Sequence, residues 1–219
     1  MNKFTGDMDT YSTFESLQQS ELEGTDFRIR WRMGNSGITI LSIHGGEIEP
    51  GTTRIANAIA GWEHSFYSFE GTKRARNRAL HITSTRFDEP IAMRIVCQSE
   101  IIISIHGSAQ TEPEVQLGGL DVELRQRILE KLTAGNLPVI ECANLRFGGM
   151  DQKNICNLCG RGMGVQMEIS RGLRAMMFRD LTPEGRRHPT QTFTRFTEAV
   201  RHAIAPFAII YAHPLRNTD

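Results

Sequence analysis

Short apolar stretches rich in β-branched residues punctuate the chain: FRIRW at 27–31, ITILSI at 38–43, IAMRIV at 91–96, EIIISI at 100–105, GVQMEI at 164–169 and FAIIYA at 207–212. Their length and nearly continuous apolar character predict strands buried on both faces. Helical spacing falls between them. The segment 52–62 follows Pro50-Gly51 and offers Thr52 or Thr53 as an N-cap. Segment 120–135 places Leu120, Leu124, Ile128 and Leu132 four apart and stops near Gly135, and 193–207 places Phe196, Val200 and Ile204 likewise and stops at Pro206. Residues 1–25 form a polar lead-in with a short helix over 11–20, and 26–219 one domain. Strands alternating with helices predict an α/β domain, with an open, mixed, mostly parallel sheet flanked by helices. Such sheets bind ligands beyond the carboxyl ends of their strands.

Two of the predicted strands end alike. Ser42-Ile43-His44-Gly45 and Ser104-Ile105-His106-Gly107 both close an apolar run. If the strands are neighbours, the two imidazoles leave the sheet at one edge. The following glycines let the backbone turn and keep space open beside the rings. Two histidines so placed suggest a metal site, for which a third ligand is needed. Glu47 and Glu49 lie on the loop after His44, and spacing alone does not choose between them. A second carboxylate, Glu168, shares a strand face with Gln166. A glutamate there is costly unless paired or used: it is either a salt-bridge partner of Arg171 or Arg174, or a catalytic group.

Other signals change the picture less. Cys156 and Cys159 have metal-ligand spacing but no second pair, which makes zinc binding there the minor reading. GRGMG at 160–164 is too short for a phosphate loop, and no G-x-S-x-G elbow supports a serine triad. His81, Arg86, Asp88 and Glu89 crowd one segment that could line a site. The 25 basic residues balance 25 acidic ones, which argues against a nucleic-acid binder. Of the basic residues 21 are arginine, whose planar fork suits carboxylates. The amino-terminal stretch has no apolar signal-peptide core and no run is long enough to span a membrane, so synthesis in the cytoplasm is expected.

HGGEIEPGT (44–52), LHITSTRFDEP (80–90), SIHG (104–107) and GVQMEISRGLR (164–174), in that order, resemble the poly-γ-glutamate hydrolase family of phage and bacterial zinc peptidases. The resemblance spans roughly residues 25–210. It implies a zinc-carboxypeptidase-like fold and one Zn²⁺ held by His44, Glu49 and His106. The family's metal glutamate follows the isoleucine, which selects Glu49 and leaves Glu47 at a variable position. Glu168 is the implied general base and poly-γ-glutamate the implied substrate, cut at γ-glutamyl amide bonds. Arg54, Arg78, Arg171 and Arg174, in or near these strings, are then expected to clamp the polymer's carboxylates. The polymer is extracellular, so a phage-encoded enzyme would reach it on host lysis. Two other readings fit the same residues: a zinc amidohydrolase acting on a small N-acyl amino acid or another γ-linked peptide, and a non-enzymatic protein with a structural metal site.

Overall fold

The computed structural model describes residues 9–141 and 148–211, with side chains to residue 208. Seven strands form one mixed sheet: β1 (Phe27–Arg32), β2 (Ile38–Gly46), β3 (Ser65–Gly71), β4 (Ile101–Ser108), β5 (Val115–Gly118), β6 (Val139–Glu141) and β7 (Val165–Ser170). Their order is β1-β3-β2-β4-β7-β5-β6. The centre is parallel, because β2 pairs with β3 and β4, and β4 with β7, in that sense. β1 and β5 run antiparallel to their neighbours β3 and β7.

Alternation along the central strands feeds two cores. Ile38 and Ile40 of β2, with Ile101, Ile103 and Ile105 of β4, face α2 (Thr52–Ala60), α4 (Val122–Ala134), α5 (Arg171–Met177) and α6 (Gln191–Tyr211). Leu41, Ile43 and Ile102 face the other way, onto α1 (Phe14–Gln18), α3 (Pro90–Cys97) and residues 155–159. Burial on both faces explains why these strands read as continuous apolar runs. α1 carries a capping box between Thr13 and Ser16, and its Phe14 and Leu17 enter the second core.

The helix over 120–135 forms as α4, capped by Asp121, with Leu124, Ile128 and Leu132 buried. Two expected strands are helical instead. Residues 91–96 lie in α3, where Glu89 accepts from the N–H groups of Ile91 and Ala92 and Pro90 opens the first turn. Buried Ala92, Ile95 and Val96 then follow helical spacing. Residues 207–211 continue α6, which runs through Pro206 rather than stopping there. The buried positions Phe196, Val200, Ala203, Ile204 and Phe207 keep helical spacing across the proline, so packing outweighs the missing N–H. Residue 212 lies outside the described residues. β3 is built from aromatics (Phe66, Tyr67, Phe69) and β5 and β6 are short, which hid all three among the apolar runs. Among the described residues no helix is long and apolar enough to cross a membrane.

Candidate metal centre

β2 and β4 lie side by side, with Leu41 opposite Ser104, and end in histidine-glycine. The two glycines answer to different neighbours. A side chain on Gly45 would overlap the hydroxyls of Thr53 and Ser68 and come within 2.9 Å of the Phe69 carbonyl oxygen. A Cβ on Gly107 would meet the Arg174 guanidinium carbon at 2.6 Å. The loop after His44 is cinched by threonines. Thr52 Oγ1 donates to the Glu49 carbonyl at 2.9 Å, and Thr53 Oγ1 accepts from the Gly46 N–H at 3.0 Å. Neither threonine is therefore the N-cap of α2; Gly51, at φ 104°, takes that place.

Three donor atoms converge above these strand ends. His44 Nδ1 lies 3.1 Å from Glu49 Oε1 and 3.1 Å from His106 Nδ1. Among the described residues this trio alone places three candidate ligand atoms within 4.8 Å of one another. The outer nitrogens are already engaged: His44 Nε2 with the Ile82 carbonyl at 2.9 Å, His106 Nε2 with Ser104 Oγ at 2.8 Å. A carbonyl only accepts, so His44 Nε2 carries a hydrogen, and the inward Nδ1 is a bare lone pair whenever the ring is neutral. Two imidazole nitrogens and a carboxylate oxygen facing one another repel unless a positive charge sits among them. One proton bridges a single pair, whereas a divalent cation satisfies all three, and N₂O is a donor set that zinc accepts. The outer hydrogen bonds fix the ring orientations as outer partners of metal-bound histidines do.

The electrostatics agree. Burial would raise the Glu49 carboxyl, but His44, His106 and the Gly107 N–H, 2.7 Å from Oε2, bring it down to about 2. Burial and the His44 charge push His106 down to about 3. Burial opposes protonation of His44, and Glu49 reverses that, leaving it raised. Glu168 stands opposite His106 in the β4–β7 ladder. Burial, then the Glu49 charge, push its carboxyl up to about 8. Among the described residues no ion pair joins Glu168 to Arg171 or Arg174; its Oε1 accepts instead from Gln166 Nε2 at 2.9 Å.

The arginines divide. Arg174 is buried, and its Nη1, Nη2 and Nε donate to the carbonyls of Pro50, Ser108 and Ile169 at 2.6, 2.7 and 3.0 Å. These carbonyls lie one or two residues past Glu49, His106 and Glu168, so one guanidinium ties the three segments together. Arg171 is exposed and lines a cleft of about 550 Å³ with Glu47, Pro50 and Arg174. Arg54 is exposed on α2, with its charge crowded by Arg186, Arg187 and Arg30. Arg78 is exposed on the short turn Asn77–Leu80. Glu47 pairs with Arg186 and is not a member of the trio.

Two further residues adjoin the centre. His81 stacks on His44 with ring centroids 3.9 Å apart, and its Nδ1 lies 2.7 Å from Asp9 Oδ1. His81 stood out in its charged segment. Asp9, in the polar lead-in, carried no signal. Cys156 and Cys159 are buried free thiols that join no three-residue metal-ligand group among the described residues.

The family described as poly-gamma-glutamate hydrolase matches residues 11–199. Protein YndL of Bacillus subtilis strain 168 is 35% identical over 194 residues, covering 88% of this chain and 76% of YndL. The solved structure of a bacteriophage poly-gamma-glutamate hydrolase superposes with a TM-score of 0.89 at 34% identity, covering 93% of this chain and 100% of that one. The zinc-free form of YndL superposes with a TM-score of 0.84 at 32% identity, covering 90% of this chain and 98% of that one.

Proposed function

The chain belongs to the poly-gamma-glutamate hydrolase family, and we propose that it is a zinc-dependent hydrolase cleaving γ-glutamyl amide bonds of poly-γ-glutamate. The observation that carries this reading is the inward convergence of His44 Nδ1, His106 Nδ1 and Glu49 Oε1 beside Glu168. His44, Glu49 and His106 would hold one Zn²⁺ per chain. When bound, the metal supplies Lewis acidity that activates water and polarises the scissile carbonyl. Glu168 takes the proton from the attacking water and delivers it to the leaving amine. Its raised proton affinity suits both transfers near neutral pH. Arg171, exposed at the cleft, takes an α-carboxylate of the polymer. Arg54 and Arg78 extend the positive surface that the polyanion meets. Arg174 acts on the substrate through its charge, since its hydrogen bonds go to carbonyls.

The test pairs bound zinc with polymer length on a gel, for wild type and Glu168→Gln, with and without a chelator. Both proteins are expected to hold about one zinc per chain, the number a single three-residue site takes. Only wild type without chelator should shorten the polymer, with turnover in the variant lower by about 10²–10⁴-fold. Bound zinc with an intact polymer transfers the reading to a small-amide substrate. Failure to bind zinc removes the site, and full turnover by Glu168→Gln removes the base.

A further inference from the structure

The loop containing Cys156 and Cys159 has its chemistry in asparagines rather than in thiols. Asn154 and Asn157 are buried, at 4% and 3% exposure. Asn157 Nδ2 donates to the Gly149 and Asp151 carbonyls at 2.7 and 2.9 Å, and its Oδ1 accepts from the Gly164 N–H at 3.0 Å. That knot presses Gly149 against Gln166, whose Cβ would meet a side chain there at 2.8 Å. Asn154 reaches the strand itself, its Nδ2 donating to Gln166 Oε1 at 2.8 Å.

The direction of this chain of hydrogen bonds is fixed from one end. The Cys156 backbone N–H, 3.1 Å from Asn154 Oδ1, can only donate. Asn154 must therefore turn its oxygen to Cys156 and its NH₂ to Gln166. Gln166 must then accept with Oε1, which leaves Nε2 to donate to Glu168 Oε1 at 2.9 Å. Neither amide can turn over without facing like against like.

We propose that Asn154 and Gln166 are positioning residues for the general base: Asn154 orients Gln166, which binds Glu168 Oε1 in a fixed sense, so that Oε2 is the oxygen presented to water. This rests on the reading of Glu168 as the base. A Gln166 whose amide had freely turned over would offer its own oxygen to the carboxylate and repel it. The relay thus sets which oxygen works and where it points, a matter of orientation on which kcat depends more than KM.

The experiment is a double-mutant cycle on full-length zinc-loaded protein, with kcat, KM, bound zinc and Tm recorded for each variant, and Glu168→Gln alongside. Asn154→Asp keeps the acceptor for Cys156 and replaces the NH₂ by an oxygen, which drives Gln166 to turn over. Gln166→Met keeps length and removes the hydrogen bonds to Asn154 and Glu168. Each is expected to lower kcat about ten- to hundredfold, the worth of a hydrogen bond to a charged group, with KM within about twofold and zinc unchanged. The double variant should be no slower than Gln166→Met alone, because Asn154 acts through Gln166. Losses that add, or that track Tm, or an unchanged kcat, overturn the relay. Should Gln166→Met fail to fold, Asn154→Asp is read alone: a lower kcat at wild-type KM supports the relay and an unchanged kcat overturns it. If Glu168→Gln keeps its turnover, the assignment of the base has failed, an outcome distinct from failure of the relay alone.

Discussion

The two Ser-Ile-His-Gly strand ends use one tetrapeptide to the same result with different supports. At the end of β4, Ser104 holds its own histidine, with Oγ 2.8 Å from His106 Nε2. At the end of β2, Ser42 turns instead to Thr52 at 3.0 Å, and His44 is held by a carbonyl from another segment, that of Ile82. Gly45 is required by neighbours on α2 and β3 and Gly107 by a guanidinium. Both ends deliver an inward Nδ1, so the shared product of the two geometries is a ring nitrogen aimed at one point, and the means differ. A carbonyl dictates the tautomer of neutral His44, whereas a hydroxyl can donate or accept and leaves that of His106 open.

The largest expected effect tests whether the ends are equal partners. His44→Asn and His106→Asn each remove one of the three proposed ligands, and each should abolish hydrolysis and bring bound zinc to background. Full zinc occupancy in either variant would show that the two ends are not equivalent. Next come the glycines. Gly45→Ala meets a backbone oxygen and two packed hydroxyls, while Gly107→Ala meets the end of a side chain. Overpacking costs about 1–3 kcal/mol, and Gly45→Ala should fall at the upper end by thermal or denaturant unfolding. The reverse order would mean that Arg174 is the more rigid wall.

Much of this was legible from the residues. Central strands between two cores have to be apolar on both faces, and the runs at 38–43, 100–105 and 164–169 show it. An apolar run of six does not carry its own period: 91–96 became helical because Glu89 and Pro90 start a helix there. The convergence of His44 with His106 needs only neighbouring strands. The resemblance already pointed to Glu49 rather than Glu47, whereas the partner that occupies Glu47, Arg186, lies 139 residues away. Asp9 reaches His81 across 72 residues, and the direction of the Asn154–Gln166 amides depends on a backbone N–H. Local pattern is silent on such long-range partners.

A smaller effect sharpens the tautomer contrast. Ser104→Ala removes the partner of His106 Nε2 and should weaken zinc affinity about 10–100-fold by competition with a chelator, the usual loss for such a hydrogen bond. Ser42→Ala, whose hydroxyl serves Thr52, should leave zinc affinity nearer wild type. The smallest effect concerns a third serine–histidine pair that no ligand converges on. Ser36 Oγ lies 2.7 Å from buried His64 Nδ1. Burial, then the Arg201 charge, hold His64 below its ordinary pKa. The unfolded chain therefore binds a proton that the folded chain refuses. This contribution to stability is present above about pH 6.5 and is lost as the pH falls below it. His64→Gln should flatten the dependence of Tm on pH over that range, and an unchanged slope would assign it to other groups.

The tie made by Arg174 also has a temporal meaning. The carbonyls it holds lie 124, 66 and 5 residues before it. A ribosome delivers them in that order and Arg174 after all of them. The loop bearing Glu49 and the strand bearing His106 emerge long before the group that fastens them together. The tie therefore cannot close before the strand carrying Glu168 and the helix after it have been synthesised.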